Sequence, residues 1–235
     1  MTWATRRTVT HADIFRIDHF RGFAGCWEVP ASSATAREGR WVPGPGVALF
    51  AAIEAALGRL PIVAEDLGTI TPDVIALRDH FGFPGMRIVQ EAFDGDGHHP
   101  FLPHMHVPGC LAYSSTHDSD TALGWWRSAA PAYRAFASEY LQAGGMNGVN
   151  GVQDGTGPGD DVPMALVRAA SYSVAALALF PMQDVLALDG SHRLNLPGTA
   201  SGNWGWRLSG AMVGPQVAPA LARLAAVTGR CDGAP

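Results

Sequence analysis

The sequence is short of several things. Three cysteines occur in 235 residues, Cys26, Cys110 and Cys231. The count is odd and no CxxC spacing occurs, which argues against a disulfide framework or a zinc site and fits a reducing, cytoplasmic setting. Charged residues make up 16% of the chain and the net charge is -5. A basic footprint for nucleic acid is therefore absent, and Arg6-Arg7 reads as solvated surface. The longest apolar run, VAALALF at 174–180, is too short to span a bilayer, so no membrane partner is expected. The opening MTWATRRTVTHADIF lacks the apolar core of a signal peptide. There is no internal repeat.

What is present is a core-forming composition. Hydrophobic residues reach 47%, enough for a sizeable globular interior. Short apolar runs at 13–20, 61–68, 85–93, 110–118 and the end of 175–184 read as five strands. Helical patterns alternate with them at 47–57, 71–81, 120–127, 131–142, 162–173 and 215–227. Thr71-Pro72 gives the second helix an N-cap and a proline at its first position. Alternation of this kind predicts an α/β chain with a parallel sheet. The polar residues gather at the carboxyl ends of the strand patterns: Asp18, Glu65-Asp66, His117-Asp118 and Gln183-Asp184. Active sites of (β/α)8 barrels lie there, as do ligand sites of doubly wound sheets.

Three acids ending three strands suggest glycoside chemistry. A retaining enzyme needs one carboxylate as nucleophile and a second as acid/base, about 5 Å apart. Strand-end caps or surface acids are the simpler alternative for each one alone. Arg16 and Asp18 are two apart on a strand and share a side, so the guanidinium favours an ionised Asp18. The stretch FRIDHFRGF at 15–23 thus sets charge among aromatic residues, as a sugar site requires.

Other signals are weaker. HHPFLPHMH at 98–106 has no carboxylate at helical spacing, and no metal is expected there. DGDG at 94–97 lacks the later ligands of an EF-hand loop. The glycine-rich 144–160 lacks the GK[ST] of a phosphate loop and reads as a loop.

The blocks RIDHFRGF, WEVPA, TAREGRWVPGPG, AEDLGTITPDV, GFPGMRIVQEAFDGD, YSSTHDSDTALGWW, QDVLAL and RLNLPGTASGNWGWRL resemble, in order, those of the 4-α-glucanotransferases (amylomaltases, or disproportionating enzymes) of glycoside hydrolase family 77. The resemblance runs from about residue 12 to the C-terminus. It implies transfer of α-1,4-glucan segments among maltooligosaccharides, starch or glycogen, without a cofactor. Asp18 would be the nucleophile and Glu65 the general acid/base. Asp118 would bind sugar hydroxyls and stabilise the transition state, with Arg16 orienting Asp18 and His117 contacting the same ring. Trp204 and Trp206 would support the groove or the barrel bottom, whereas Trp27 and Trp41 read as packing. Ser119 stands where the family usually has Asn.

The family's polypeptide is longer at the front. The resemblance therefore implies that residues 1–235 are a partial catalytic domain, about strands 4–8 of a (β/α)8 TIM barrel, incomplete, with the N-terminal barrel strands missing. A separate N-terminal half is an expected partner, and little activity is expected of this chain alone. Ile14 and Ile17, on the first strand present, should be exposed by the absent neighbours. A clan-related α-glucan hydrolase and a non-catalytic glucan-binding remnant are the alternatives.

Overall fold

The computed structural model describes residues 2–143 and 161–231; the glycine-rich 144–160, expected as a loop, lies outside them. The chain divides into two compact units, residues 1–86 and 87–235.

The first unit begins with α1 (Thr2–Thr8) and β1 (Phe15–Ile17), followed by a 3-10 turn at Phe20–Phe23. Next come β2 (Gly25–Glu28), β3 (Arg40–Pro43), α2 (Gly46–Leu57), β4 (Ile62–Ala64) and α3 (Pro72–His80). β1 and β4 are parallel, with Phe15 opposite Ile62, Arg16 opposite Val63 and Ile17 opposite Ala64. Their link is α2, an alanine-rich helix that buries Phe50 and Ile53 and stops at Gly58, whose φ of 77° suits glycine at a helix end. α3 starts as the sequence predicts, with Thr71 extended at the N-cap and Pro72 in the first turn. Phe20, Phe50, Phe81 and Phe83 form the aromatic centre of this unit's core, with Ile53, Ile62, Val74 and Leu77 around them.

The second unit carries β5 (Met86–Ile88, its first residue from the preceding unit), β6 (Leu111–Tyr113) and β7 (Leu177–Leu179), ordered β5-β6-β7 in one sheet. β6 and β7 run parallel, Leu111 opposite Leu177 and Tyr113 opposite Leu179. Around them lie α4 (Ala122–Ser128), α5 (Pro131–Ala143), α6 (Val162–Tyr172), α7 (Met182–Val185) and α8 (Val217–Val227). α6 is the central helix: Ala165, Leu166, Val167, Ala169 and Ala170 are all fully buried. Small residues let it approach its neighbours closely, and Leu166→Ala would cost about 2–5 kcal/mol. Behind β7, Arg230 donates to three carbonyls at the end of α6, those of Ser171 (2.7 Å), Ser173 (2.7 Å) and Ala175 (3.0 Å).

Four of the expected strands form in place, and the fifth forms at Leu177–Leu179, early in 175–184 and not at its end, which is helical; each is three residues long. β1 ends because His19 turns left-handed, and β5 ends because Val89–Ala92 winds into a 3-10 turn. Gln183 and Asp184 belong to α7 and not to the end of a strand; Pro181 starts that turn. Besides α7, the helix α1 and the antiparallel β2–β3 pair were not expected. In that pair Trp27 faces Trp41 at 5.5 Å, and the Arg21 guanidinium lies 4.2 Å over the Trp41 ring. Ile14 is 50% exposed, while Ile17 packs partly onto the core of its unit. Among the described residues no helix is long and apolar enough to cross a membrane.

Candidate active site

The first unit brings Arg16, Asp18 and Glu65 to the carboxyl ends of two paired strands. Asp18 follows the last residue of β1 and Glu65 the last residue of β4. Arg16 and Asp18 form an ion pair at 2.8 Å, with the Asp18 side chain largely exposed. The Arg16 Nε also points at Met86 Sδ, 3.2 Å away. The guanidinium fixes the direction of this exposed carboxylate.

Glu65 is held more completely. It is 8% exposed. Its Oε2 accepts from the His19 amide at 2.7 Å and its Oε1 from the Leu67 amide at 2.9 Å. The main chain is stitched as well: the Glu65 amide donates to Ile17 O at 3.0 Å and the Phe20 amide to Glu65 O at 3.1 Å. Beside it, Asp66 is buried against Arg78 and accepts from the Met86 amide at 2.7 Å. A Cβ on Gly85 would come within 2.3 Å of Asp66 Oδ2, so any larger residue there would displace the Asp66 carboxylate. Asp66 thus braces the loop after β4.

The second unit carries His117 and Asp118 on the loop that follows β6. His117 Nε2 lies 3.3 Å from Asp118 Oδ2. The other oxygen, Oδ1, accepts from Asn195 Nδ2 at 2.6 Å, and Arg193 donates to the Asp118 carbonyl at 2.9 Å. Ser119 closes the turn, its Oγ accepting from the Thr116 amide at 2.7 Å. The Trp204 ring lies 5.4 Å from the His117 ring, and Trp204 has the left-handed φ of 64°. Trp206 lines a cavity of about 220 Å³ with Ser115, Thr116, His117 and Arg193. Beneath this loop, the buried Asp184 accepts from the Ser114 and Ser115 hydroxyls.

Asn195 and Arg193 are partners of Asp118 that sequence reasoning did not single out. They stand more than seventy residues along the chain, so no local spacing announces them. Among the described residues no group of three or more His, Cys, Asp or Glu side chains could hold a metal ion.

The arrangement is thus a cation-paired carboxylate and a second, amide-held carboxylate at the ends of two parallel strands. The matching family model is that of the 4-alpha-glucanotransferases of glycoside hydrolase family 77, over residues 2–212. The chain belongs to that family. A 4-alpha-glucanotransferase of Thermus thermophilus is 47% identical over 219 residues, 92% of this chain and 42% of the relative. The chloroplastic/amyloplastic enzyme of Solanum tuberosum is 42% identical over 88% of this chain and 34% of its own length. Among solved structures, the amylomaltase from Streptococcus agalactiae in complex with acarbose superposes with a TM-score of 0.88 at 31% identity. That match covers 98% of this chain and 44% of the relative. The chain spans less than half the length of these relatives.

Proposed function

We propose that the chain carries the catalytic carboxylates of a 4-α-glucanotransferase that moves α-1,4-glucan segments by a retaining double displacement. The observation that carries this reading is the Arg16–Asp18 ion pair at the end of a strand hydrogen-bonded in parallel to the strand that ends at Glu65. Neighbouring strands are spaced about 4.8 Å apart, close to the roughly 5–5.5 Å separation of a retaining pair. In the first half-reaction an Asp18 oxygen bonds to the sugar C1 as the C1–O bond to the leaving glucan breaks. The Glu65 proton passes to that oxygen. In the second, an acceptor hydroxyl gives its proton to Glu65 and its oxygen replaces Asp18 at C1, so configuration is retained. Asp118 binds hydroxyls of the reacting sugar and His117 contacts the same ring. Asn195 and Trp204 set their orientation.

In this reading residues 1–235 are a partial catalytic domain corresponding to about strands 4–8 of a (β/α)8 barrel, and β1, β4, β5, β6 and β7 are those strands. The substrates are maltooligosaccharides, starch or glycogen, and a segment supplying the N-terminal strands is the partner. The setting proposed is the cytoplasm. Maltotriose is the test substrate, assayed with and without the N-terminal half of a relative in trans. Transfer gives glucose and a ladder of longer glucans; hydrolysis gives shortening only. Asp18→Asn should lose nearly all transfer because its nucleophile is neutral. Full activity in that variant would refute the assignment.

A further inference from the structure

We infer that His19 is the positioning residue of Glu65, acting through its backbone; the inference rests on the proposed role of Glu65. His19 has φ 48° and ψ 52°, a left-handed conformation that side chains of L-residues disfavour. Strain of this kind persists where the surroundings impose it and concentrates at functional sites. The imidazole is exposed and makes no capping hydrogen bond. What the conformation achieves is elsewhere. It turns the Phe20 amide back onto Glu65 O at 3.1 Å, and that bond holds the adjoining peptide so that the His19 amide stays on Glu65 Oε2 at 2.7 Å.

With Leu67 donating to Oε1, Glu65 is fixed at both oxygens and at its main chain. The residue immediately after the proposed nucleophile therefore places the proposed acid/base. A right-handed or extended residue 19 would carry the Phe20 N–H away from Glu65 O; the peptide that bears the His19 N–H would lose that anchor, and Oε2 its donor, while Leu67 alone still held Oε1. Because proton delivery depends on geometry, the loss falls on steps that need the Glu65 proton.

The variants are His19→Gly, His19→Ala and His19→Val, made in the preparation that disproportionates maltotriose. Glycine takes the left-handed conformation freely, alanine with difficulty and the β-branched valine hardly at all. The expected order of kcat on maltotriose is Gly, then Ala, then Val, spanning at least tenfold, with KM within about threefold. A maltosyl fluoride separates positioning from damage, since departing fluoride needs no proton. Intact-mass spectrometry should show the glycosyl-enzyme forming at rates within about threefold in all three variants. If His19→Val does not fold, the His19→Gly and His19→Ala pair makes the same comparison.

Equal kcat for all the variants overturns the inference. So does a glycine variant as impaired as valine, which would place the role in the imidazole. Parallel losses on maltotriose and on the fluoride also overturn it, since they mean general disruption. Failure of the parent itself to form the glycosyl-enzyme from the fluoride overturns the retaining mechanism, and the inference with it.

Discussion

Asp184→Ala tests the foundation of the His117–Asp118 loop. Asp184 is 1% exposed. Its carboxylate accepts from Ser114 Oγ at 2.7 Å, Ser115 Oγ at 2.6 Å and the Ala122 amide at 2.8 Å. Hydrogen bonds to a charged acceptor contribute about 1.5–3 kcal/mol each, and a buried donor left alone costs about 1–3 kcal/mol. The hydroxyls can rotate toward other acceptors, whereas the amide at the start of α4 cannot. Relief of a buried charge offsets part of the loss. The net expectation is about 3 kcal/mol, or a Tm lower by roughly 6–12 °C. Asp184→Asn keeps the shape and should cost about 1 kcal/mol at neutral pH.

The pH dependence has a definite sign. Burial pushes the Asp184 carboxyl above its ordinary 3.8, against the opposing bonds from Ser115, Ala122 and Ser114. The folded state then holds the proton to higher pH than the unfolded state. Its contribution to stability is greatest below 3.8 and falls as pH rises through the folded value. The parent should therefore gain on Asp184→Asn as the solution is acidified through that window. Urea unfolding at several pH values measures this, followed through Trp125 and Trp126, which pack on the core of the second unit. An alanine variant within 1 kcal/mol of the parent would refute the first part, and a parent–asparagine difference independent of pH the second.

Gly85→Ala should lose about 2–3 kcal/mol in denaturant titration, because its Cβ would meet the buried Asp66 carboxylate at 2.3 Å; a neutral effect would show that Asp66 can move. Asn195→Ala frees one oxygen of Asp118 and should lower kcat on maltotriose about tenfold, with stability changed by less than about 1.5 kcal/mol. Unaltered kcat would remove Asn195 from the site.

Four strands, β1, β4, β5 and β6, were legible because each is an apolar run ending in polar residues; β7 was misplaced because the polar Gln183 and Asp184 that marked its end belong to α7. Their shortness was not, since the polar residues that mark an end look like strand until the backbone turns. The β2–β3 pair escaped because its strands expose most of their residues and are joined by a long segment without the Asn-Gly or Asp-Gly signal of a tight hairpin. Asp18 and Glu65 stood out through their neighbours in sequence. His19 did not, because nothing local says which residue will accept a left-handed backbone. Asn195 is tied to Asp118 only by tertiary folding.

The Arg230 guanidinium has a consequence for where this fold can be cut. It lies beyond residue 212, where the family match stops, yet it fastens three carbonyls at the turn between α6 and β7. A terminus placed at 212 would keep every proposed sugar-contacting residue and remove α8 with its fastening. Ser171, Ser173 and Ala175 would then lose a shared cationic donor, and protease access and amide exchange should rise first at that turn. The end of the family model's match and the limit of mechanical integrity fall at different residues in this chain.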